Sequence, residues 1–260
     1  MIVARELAYL ESLRLPLSSP PLRERASAEA GVVVGCFGLP GLARLQCRLI
    51  RQMCGPVPIL LADDGSERDA AFVEIEDTEP DVTFWPSDAR KGHYAGDLSV
   101  YWKGLQWAHV RGFKWVCKLS QRFLWTRSDW LADAVAVLKG SGKAILGQRC
   151  VDNGTDLKLR TECVMFDVAK WLPHFKELDR DRLGNPTELY VWGMVHREFA
   201  AELAEWSPIT VDRYQAIDGV IWHGTHSADY YRRAAQQLDV ALDPEFTVKG
   251  WDKVPGWVRG

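Results

Sequence analysis

The chain has 260 residues, 47% of them hydrophobic and 26% charged, with a formal net charge of −3. That length suits one large α/β domain or two small ones, and the mild acidity argues against a general nucleic-acid binder and for small-molecule partners. No apolar run is long enough to cross a bilayer, and Arg5 and Glu6 break the pattern of a secretory signal, so the expected location is the cytoplasm.

Residues 1–30 read as a leader, a weak helical pattern broken by Pro16, Pro20 and Pro21, ahead of one domain over 31–260. Val32 to Phe37 is β-branched and closed by Gly38, Pro40 and Gly41, which predicts a buried strand. Leu42, Leu45, Leu49, Ile50 and Met53 then recur at helical spacing until Gly55-Pro56, and Val57 to Ala62 is a second strand ending on Asp63-Asp64-Gly65-Ser66. Such a crossover makes two neighbouring parallel strands with a right-handed connection. It puts two carboxylates at the carboxyl end of an interior strand, where open α/β sheets bind ligands. There they can accept hydrogen bonds from a ribose hydroxyl or a base imide, or the four residues can be a plain turn.

Glu67 to Pro80 reads as an irregular acidic segment around the edge of the site, with Phe72, Val73 and Ile75 its one apolar cluster. Val82 to Trp85 is a third strand, and the loop from Ser87 to Gly96 carries Arg90, Lys91 and His93 among glycines, suited to phosphate or to solvated charge. Asp97 is expected to cap a helix whose apolar positions are Leu98, Tyr101, Leu105 and Ala108, ended by Gly112. Phe113 to Leu119 is a fourth strand running into Ser120-Gln121-Arg122. A helix from Ser128 or Asp129, with Leu131, Val135 and Leu138 inward, closes at Gly140. Strands at Ala144 to Gly147 and Glu162 to Phe166 flank the hairpin signal Asp152-Asn153-Gly154, so the second half turns from crossovers to a mixed arrangement. Asn185-Pro186-Thr187-Glu188 starts a helix carrying Trp192, an extended stretch leads through Trp222 into His223-Gly224-Thr225-His226, and a short helix runs from Ser227 to Leu238. The six cysteines form no CxxC pair and read as buried free thiols. Some of the twelve tryptophans, Trp192 and Trp222 among them, are candidates for stacking on sugars as well as for core packing.

This ordered set, from the first strand through Asp-Asp-Gly-Ser, the glycine loop and Gly104-Leu105-x-x-Ala108 to the fourth strand, resembles the nucleotide-sugar half of family-2-like glycosyltransferases with the GT-A fold, over about Val32 to Trp130. The resemblance implies a single α/β domain of GT-A type: a mostly parallel, helix-flanked nucleotide-binding half over 31–130 and a mixed acceptor half over 131–260. It implies nucleoside contacts at Asp63 and Asp64 with Phe37 beside them, and phosphate contact at Lys91. Where the family places a DxD pair that holds Mg²⁺ or Mn²⁺ on the diphosphate, this chain has Lys118-Leu119-Ser120-Gln121-Arg122, without a carboxylate. Lys118, Gln121 and Arg122 are then the expected diphosphate contacts, arginine forking onto phosphate oxygens, unless a carboxylate from elsewhere holds a divalent cation. The stretch is similar to the Lys-x-Ser/Thr-Gly-Arg element of some divergent GT-A-like transferases.

The activity so implied is transfer of a sugar from a nucleoside diphosphate donor to a hydroxyl acceptor, such as a growing surface glycan. An inverting reaction needs one general base; Glu188 is the first candidate and Asp167 the second, with helix-dipole stabilisation and helix capping as their respective structural alternatives. His223 and His226 are candidate diphosphate contacts, and Arg149 and Arg160, flanking the hairpin, can face the cleft or solvent. Two competitors share the scaffold. A nucleotidyltransferase would want a lysine in its phosphate loop, which Phe37-Gly38-Leu39-Pro40-Gly41 lacks. A non-catalytic nucleotide-sugar or glycan-binding protein would bind without turnover.

Overall fold

In a computed structural model of the protein, the residues described are 29–66, 69–91, 93–125, 130–147, 149–152, 156–159, 162–175, 203–205, 211–212, 220–221, 228–243 and 246. The chain begins as the hydrophobic pattern requires, with β1 (Ala30–Cys36), α1 (Pro40–Cys54) and β2 (Ile59–Asp63) forming the expected parallel crossover. β3 (Val82–Trp85) adds to β2, and β4 (Trp115–Ser120) pairs with β1 on its other side, both parallel. β6 (Ile145–Gly147), β9 (Cys163–Asp167) and β10 (Leu203–Glu205) complete a seven-stranded sheet of order β10-β6-β9-β4-β1-β2-β3. β9 runs antiparallel to both β4 and β6, which is the change to a mixed half.

Alternation along β1 splits the core into two layers. Val32 and Val34 pack with the α1 residues Leu42, Leu45 and Leu49. Val33 faces the other way, toward Leu98, Tyr101 and Leu105 of α3 (His93–Val110). That second contact is unusually close. A Cβ on Gly31 or Gly35 would lie 2.4 Å from Trp107 or 2.9 Å from Val100, and one on Gly104 would lie 2.6 Å from Val33. Trp85, Trp107, Trp125, Trp130 and Trp171 are core residues, and Cys36, Cys47, Cys117 and Cys163 are buried free thiols.

Three expectations need correction. Residues 69–78 are a helix, α2 (Asp69–Thr78), not an irregular wrap. Phe72 and Ile75, three apart, are wholly buried, Phe72 stacking on Phe84 at 5.4 Å, while the acidic residues take the outer face. α3 starts at His93, so Asp97 lies inside the helix and does not cap it. α4 (Trp130–Ser141) runs through Gly140 and buries Leu131, Ala134 and Leu138. The hairpin holds: β7 (Arg149–Asp152) and β8 (Asp156–Leu159) pair antiparallel. Short strands β11 (Val211–Asp212) and β12 (Val220–Ile221) pair with β7 and with β5 (Leu124–Trp125).

Behind the sheet, the segment after α6 (Ala228–Gln237) is strapped across α1. Gln52 donates to the Leu238 carbonyl at 2.6 Å, Arg48 to that of Ala241 at 2.9 Å, and Arg44 pairs with Asp243 at 3.1 Å. α5 (Val168–Phe175) covers the α3 side of the sheet with Trp171 and Phe175.

Candidate functional site

The parallel strands β1, β2 and β4 end together, and the loops leaving them are tied into one surface. Asp63, wholly buried, turns its carboxylate back onto its own turn. Oδ2 accepts from the backbone N–H of Gly65 at 2.8 Å and of Ser66 at 2.7 Å, and Oδ1 accepts from the Ser66 hydroxyl. Ser66 Oγ in turn accepts from the Gly38 N–H at 2.8 Å, fixing the loop after β1. The turn reading and the site reading of Asp-Asp-Gly-Ser therefore coexist: the aspartate shapes the edge it stands on.

Asp64 does the same for the loop after β3. Its Oδ1 accepts from the Lys91 N–H at 3.0 Å, and its carboxylate lies over Gly96, where a Cβ would come within 2.3 Å. Burial is the main cause that pushes the Asp64 carboxyl above its usual range, with the neighbouring Asp63 adding to it and the Lys91 N–H opposing it. Gly65 has φ +78° and sits under the Ala89–Arg90 backbone, 2.4 Å from the Arg90 nitrogen to its missing Cβ. Above it, the Arg90 guanidinium stacks on the half-buried Phe37 ring at 4.2 Å.

The end of β4 supplies the third loop. Gln121 spends both ends of its amide on the loop after β1, accepting from the Phe37 N–H at 3.0 Å and donating to the Leu39 carbonyl at 2.8 Å. Lys118 is buried; its ammonium pairs with Asp97 of α3 at 2.5 Å, donates to Ser120 Oγ at 2.9 Å and lies 5.0 Å from the Tyr101 ring. The half-buried Arg122 has its guanidinium pulled down to about 10 by burial, an effect that Tyr231 and Glu162 oppose, so it stays charged at neutral pH. Its carbonyl accepts from the Tyr231 hydroxyl at 3.1 Å.

β4 and the turn after it bring no carboxylate side chain to this strand end for a divalent cation. Hard cations take carboxylate, carbonyl and water oxygens. Here stand an ammonium already paired, an amide already spent and a guanidinium. Among the described residues no three His, Cys, Asp or Glu side chains come together as a metal set.

Of the expected site residues, Phe37, Asp63, Asp64, Lys118, Gln121 and Arg122 are thus carried at the adjoining ends of β1, β2 and β4, and Lys91 on the loop after β3. Asp167 is not. It pairs with Trp115 and through it lies level with Ala30, six positions along β1 from Cys36 and Asp63, roughly 20 Å at the strand rise. Its Oδ1 accepts from the Lys170 N–H at 3.1 Å, capping α5, which was its alternative role. Glu188, His223 and His226 lie outside the described residues, as do the side chains of Arg149, Arg160, Trp192 and Trp222.

Two buried polar residues that hold the site were missed. Lys103 of α3, with no exposed surface, donates to the carbonyls of Asp63 (3.1 Å), Trp85 (3.2 Å) and Pro86 (2.8 Å) and to Ser87 Oγ (2.7 Å), gathering the ends of β2 and β3. Gln46 of α1 donates to the carbonyls of Ser120 and Phe123, at 2.9 and 2.5 Å, and so pins the turn after β4. Each interrupts an apolar helical stripe, Lys103 between Val100 and Trp107 and Gln46 between Leu42 and Leu49, which is the signal that could have found them.

No protein-family profile and no curated protein matches the chain. Among solved structures, the mannosyltransferase PcManGT from Pyrobaculum calidifontis, solved with GDP-Man and Mn²⁺, is similar over 91% of this chain and 70% of its own, with 16% identity and a TM-score of 0.52. A cytidylyltransferase from Leptospira borgpetersenii aligns over 86% and 92% of the two chains at 14% identity and a TM-score of 0.47. The transferase LgtC aligns over 67% and 72% at 10% identity and 0.46. At such identities the likeness to the mannosyltransferase shows the fold alone, and with the strand order above it gives the chain a mixed α/β fold of GT-A type.

Proposed function

We propose that the protein is a glycosyltransferase that moves a sugar from a nucleoside diphosphate donor to an acceptor hydroxyl, without a divalent cation on the diphosphate. The observation that carries this reading is the charge at the end of β4: the Lys118–Asp97 pair and the half-buried Arg122 replace a carboxylate pair, beside a strand-end turn suited to a nucleoside. A guanidinium offers the leaving diphosphate a fixed, bidentate partner, stabilising charge that develops as the glycosidic bond breaks. Arg122 is the residue proposed for that contact, with Lys118 fixing the floor beneath it through Asp97 and Ser120.

The acceptor is proposed to be a sugar hydroxyl of a growing surface glycan, handled on the cytoplasmic side. Transfer is proposed to invert the anomeric centre, with Glu188 as general base. The mannosyltransferase with this fold was solved with a nucleotide sugar, which supports the donor class here.

The test is release of nucleoside diphosphate from a panel of nucleotide sugars, with Mn²⁺ and with EDTA, on wild type, Arg122→Ala and Glu188→Gln. Turnover that persists in EDTA is expected, with kcat/KM down on the order of 100-fold in Arg122→Ala, about the loss seen when one charge-stabilising donor is removed. Glu188→Gln is expected to retain donor binding and lose transfer. Activity confined to Mn²⁺ would refute metal independence, and no binding or turnover with any donor would refute the transferase reading.

A further inference from the structure

We infer that Tyr231, on helix α6, is a positioning residue for the diphosphate: its hydroxyl holds the turn that carries Arg122. The inference rests on the proposal that Arg122 meets the diphosphate, and it extends the donor site to a helix 109 residues further along the chain.

The turn after β4 is held from several sides. The Phe123 N–H donates to the Ser120 carbonyl at 3.0 Å and closes it, and the Ser120 N–H donates to the Glu162 carbonyl at 2.8 Å. Two side chains from outside the sheet take further carbonyls. Gln46 of α1 donates to those of Ser120 and Phe123, and the Tyr231 hydroxyl to that of Arg122 at 3.1 Å. The peptide between Arg122 and Phe123 is therefore gripped at both ends, its N–H by Ser120 and its C=O by Tyr231. That grip fixes ψ at Arg122, and with it the backbone from which the guanidinium reaches out.

Tyr231 is itself a fixed point. It is 1% exposed, lies in the core layer on the α1 side of the sheet, and has its ring 6.4 Å from that of Phe246. The strap after α6 is bound to α1 by Gln52 and Arg48, and α1 is also the helix that supplies Gln46. A closed frame thus runs from the turn through Gln46, α1, the strap, α6 and Tyr231 back to the turn. Burial lowers the Arg122 guanidinium, and Tyr231 and Glu162 act against it, so the phenol bears on the head of Arg122 as well as on its backbone. Phenylalanine would fill the same space in the core. What the hydroxyl adds is the hold on Arg122.

The experiment is a double-mutant cycle: calorimetric binding of GDP, ADP, UDP and CDP, each with Mn²⁺ and with EDTA, to wild type, Tyr231→Phe, Arg122→Ala and the double variant. For the diphosphate that wild type binds best, Arg122→Ala is expected to weaken binding at least about tenfold, as for a hydrogen bond to a charged group. Tyr231→Phe is expected to weaken it about threefold to tenfold, the worth of one neutral hydrogen bond. In the Arg122→Ala background the same Tyr231→Phe change is expected to shift binding less than twofold, because the side chain it positions is gone. A Tyr231→Phe variant that binds like wild type, or that loses the same factor with and without Arg122, would overturn the inference and leave the donor reading standing. Undiminished binding by Arg122→Ala would overturn the diphosphate role of Arg122 and the inference with it. Binding of no member of the panel would overturn both.

Discussion

Replacing Gly65 by alanine tests whether the strand-end turn and the Arg90 loop are one unit. Two costs combine. At φ +78° an L side chain is strained by about 1–2 kcal/mol. The new Cβ would also stand 2.4 Å from the Arg90 nitrogen and 2.5 Å from the Ala89 carbonyl carbon, and because both are backbone atoms neither can swing aside. Overpacking of that kind costs roughly 1–3 kcal/mol, giving a total of about 2–5 kcal/mol. Gly38 supplies the control. It too has positive φ, +65°, but nothing lies within 4 Å of its missing Cβ, so Gly38→Ala should cost about 1–2 kcal/mol from backbone strain alone. Urea unfolding followed by tryptophan fluorescence measures both variants, and nucleotide titration reads the second consequence, loss of the Lys91–Asp64 hydrogen bond and of the Phe37–Arg90 stack. Equal destabilisation of the two variants, or undiminished nucleotide binding by Gly65→Ala, would refute the coupling.

The Lys118–Asp97 pair predicts strong non-additivity. Asp97→Asn strands a buried ammonium and should cost about 3 kcal/mol, Lys118→Met less because Asp97 retains some solvent contact, and the double variant less than the sum of the two, as a double-mutant cycle in urea would show. Gln121→Ala should lose about 1–3 kcal/mol and weaken nucleotide binding, since it frees the Phe37 N–H and the Leu39 carbonyl together. For Asp64 the folded carboxyl is raised above its ordinary 3.8, so between that value and its folded pKa the native state binds the extra proton. Stability contributed by this group is therefore present at low pH and is lost as pH rises through that window. Asp64→Asn removes the dependence, and wild type minus variant should fall with rising pH across the window; a difference that rises would refute the assignment.

The crossovers were legible because β1 and β2 are short, β-branched or aliphatic runs and α1 and α3 carry apolar residues at helical spacing, so pattern and tertiary burial agree. α2 was missed because four acidic residues lie within its ten and only Phe72 and Ile75 mark its inner face. The start of α3 was misplaced because glycine at position 96 reads as loop, whereas the helix uses it to admit the Asp64 carboxylate. Asp167 shows the limit of reading a strand end as a site: its strand runs antiparallel to β4, so its carboxyl end lies at the opposite edge from Asp63. Residue pattern gives the strand but not its direction. Lys103 and Gln46 were hidden for a related reason, since a polar residue in an apolar stripe declares that something must satisfy it but not which carbonyls will.

The strap from Leu238 to Asp243 ties the order of synthesis to the order of assembly. Arg48 and Gln52 find their carbonyl partners 193 and 186 residues later in the chain, so the outer face of the first crossover is finished only after every strand of the seven-stranded sheet has been synthesised. Contacts of that separation carry a large loop-closure cost before they return any stabilisation, and chains rich in them fold slowly. During translation α1 therefore stands with only its earlier partners, Arg44 on Glu74 and Arg48 on Glu79, until the Leu238 to Asp243 segment arrives. A nascent chain halted before Leu238 would hold β1 to β4 without the strap that locks α1.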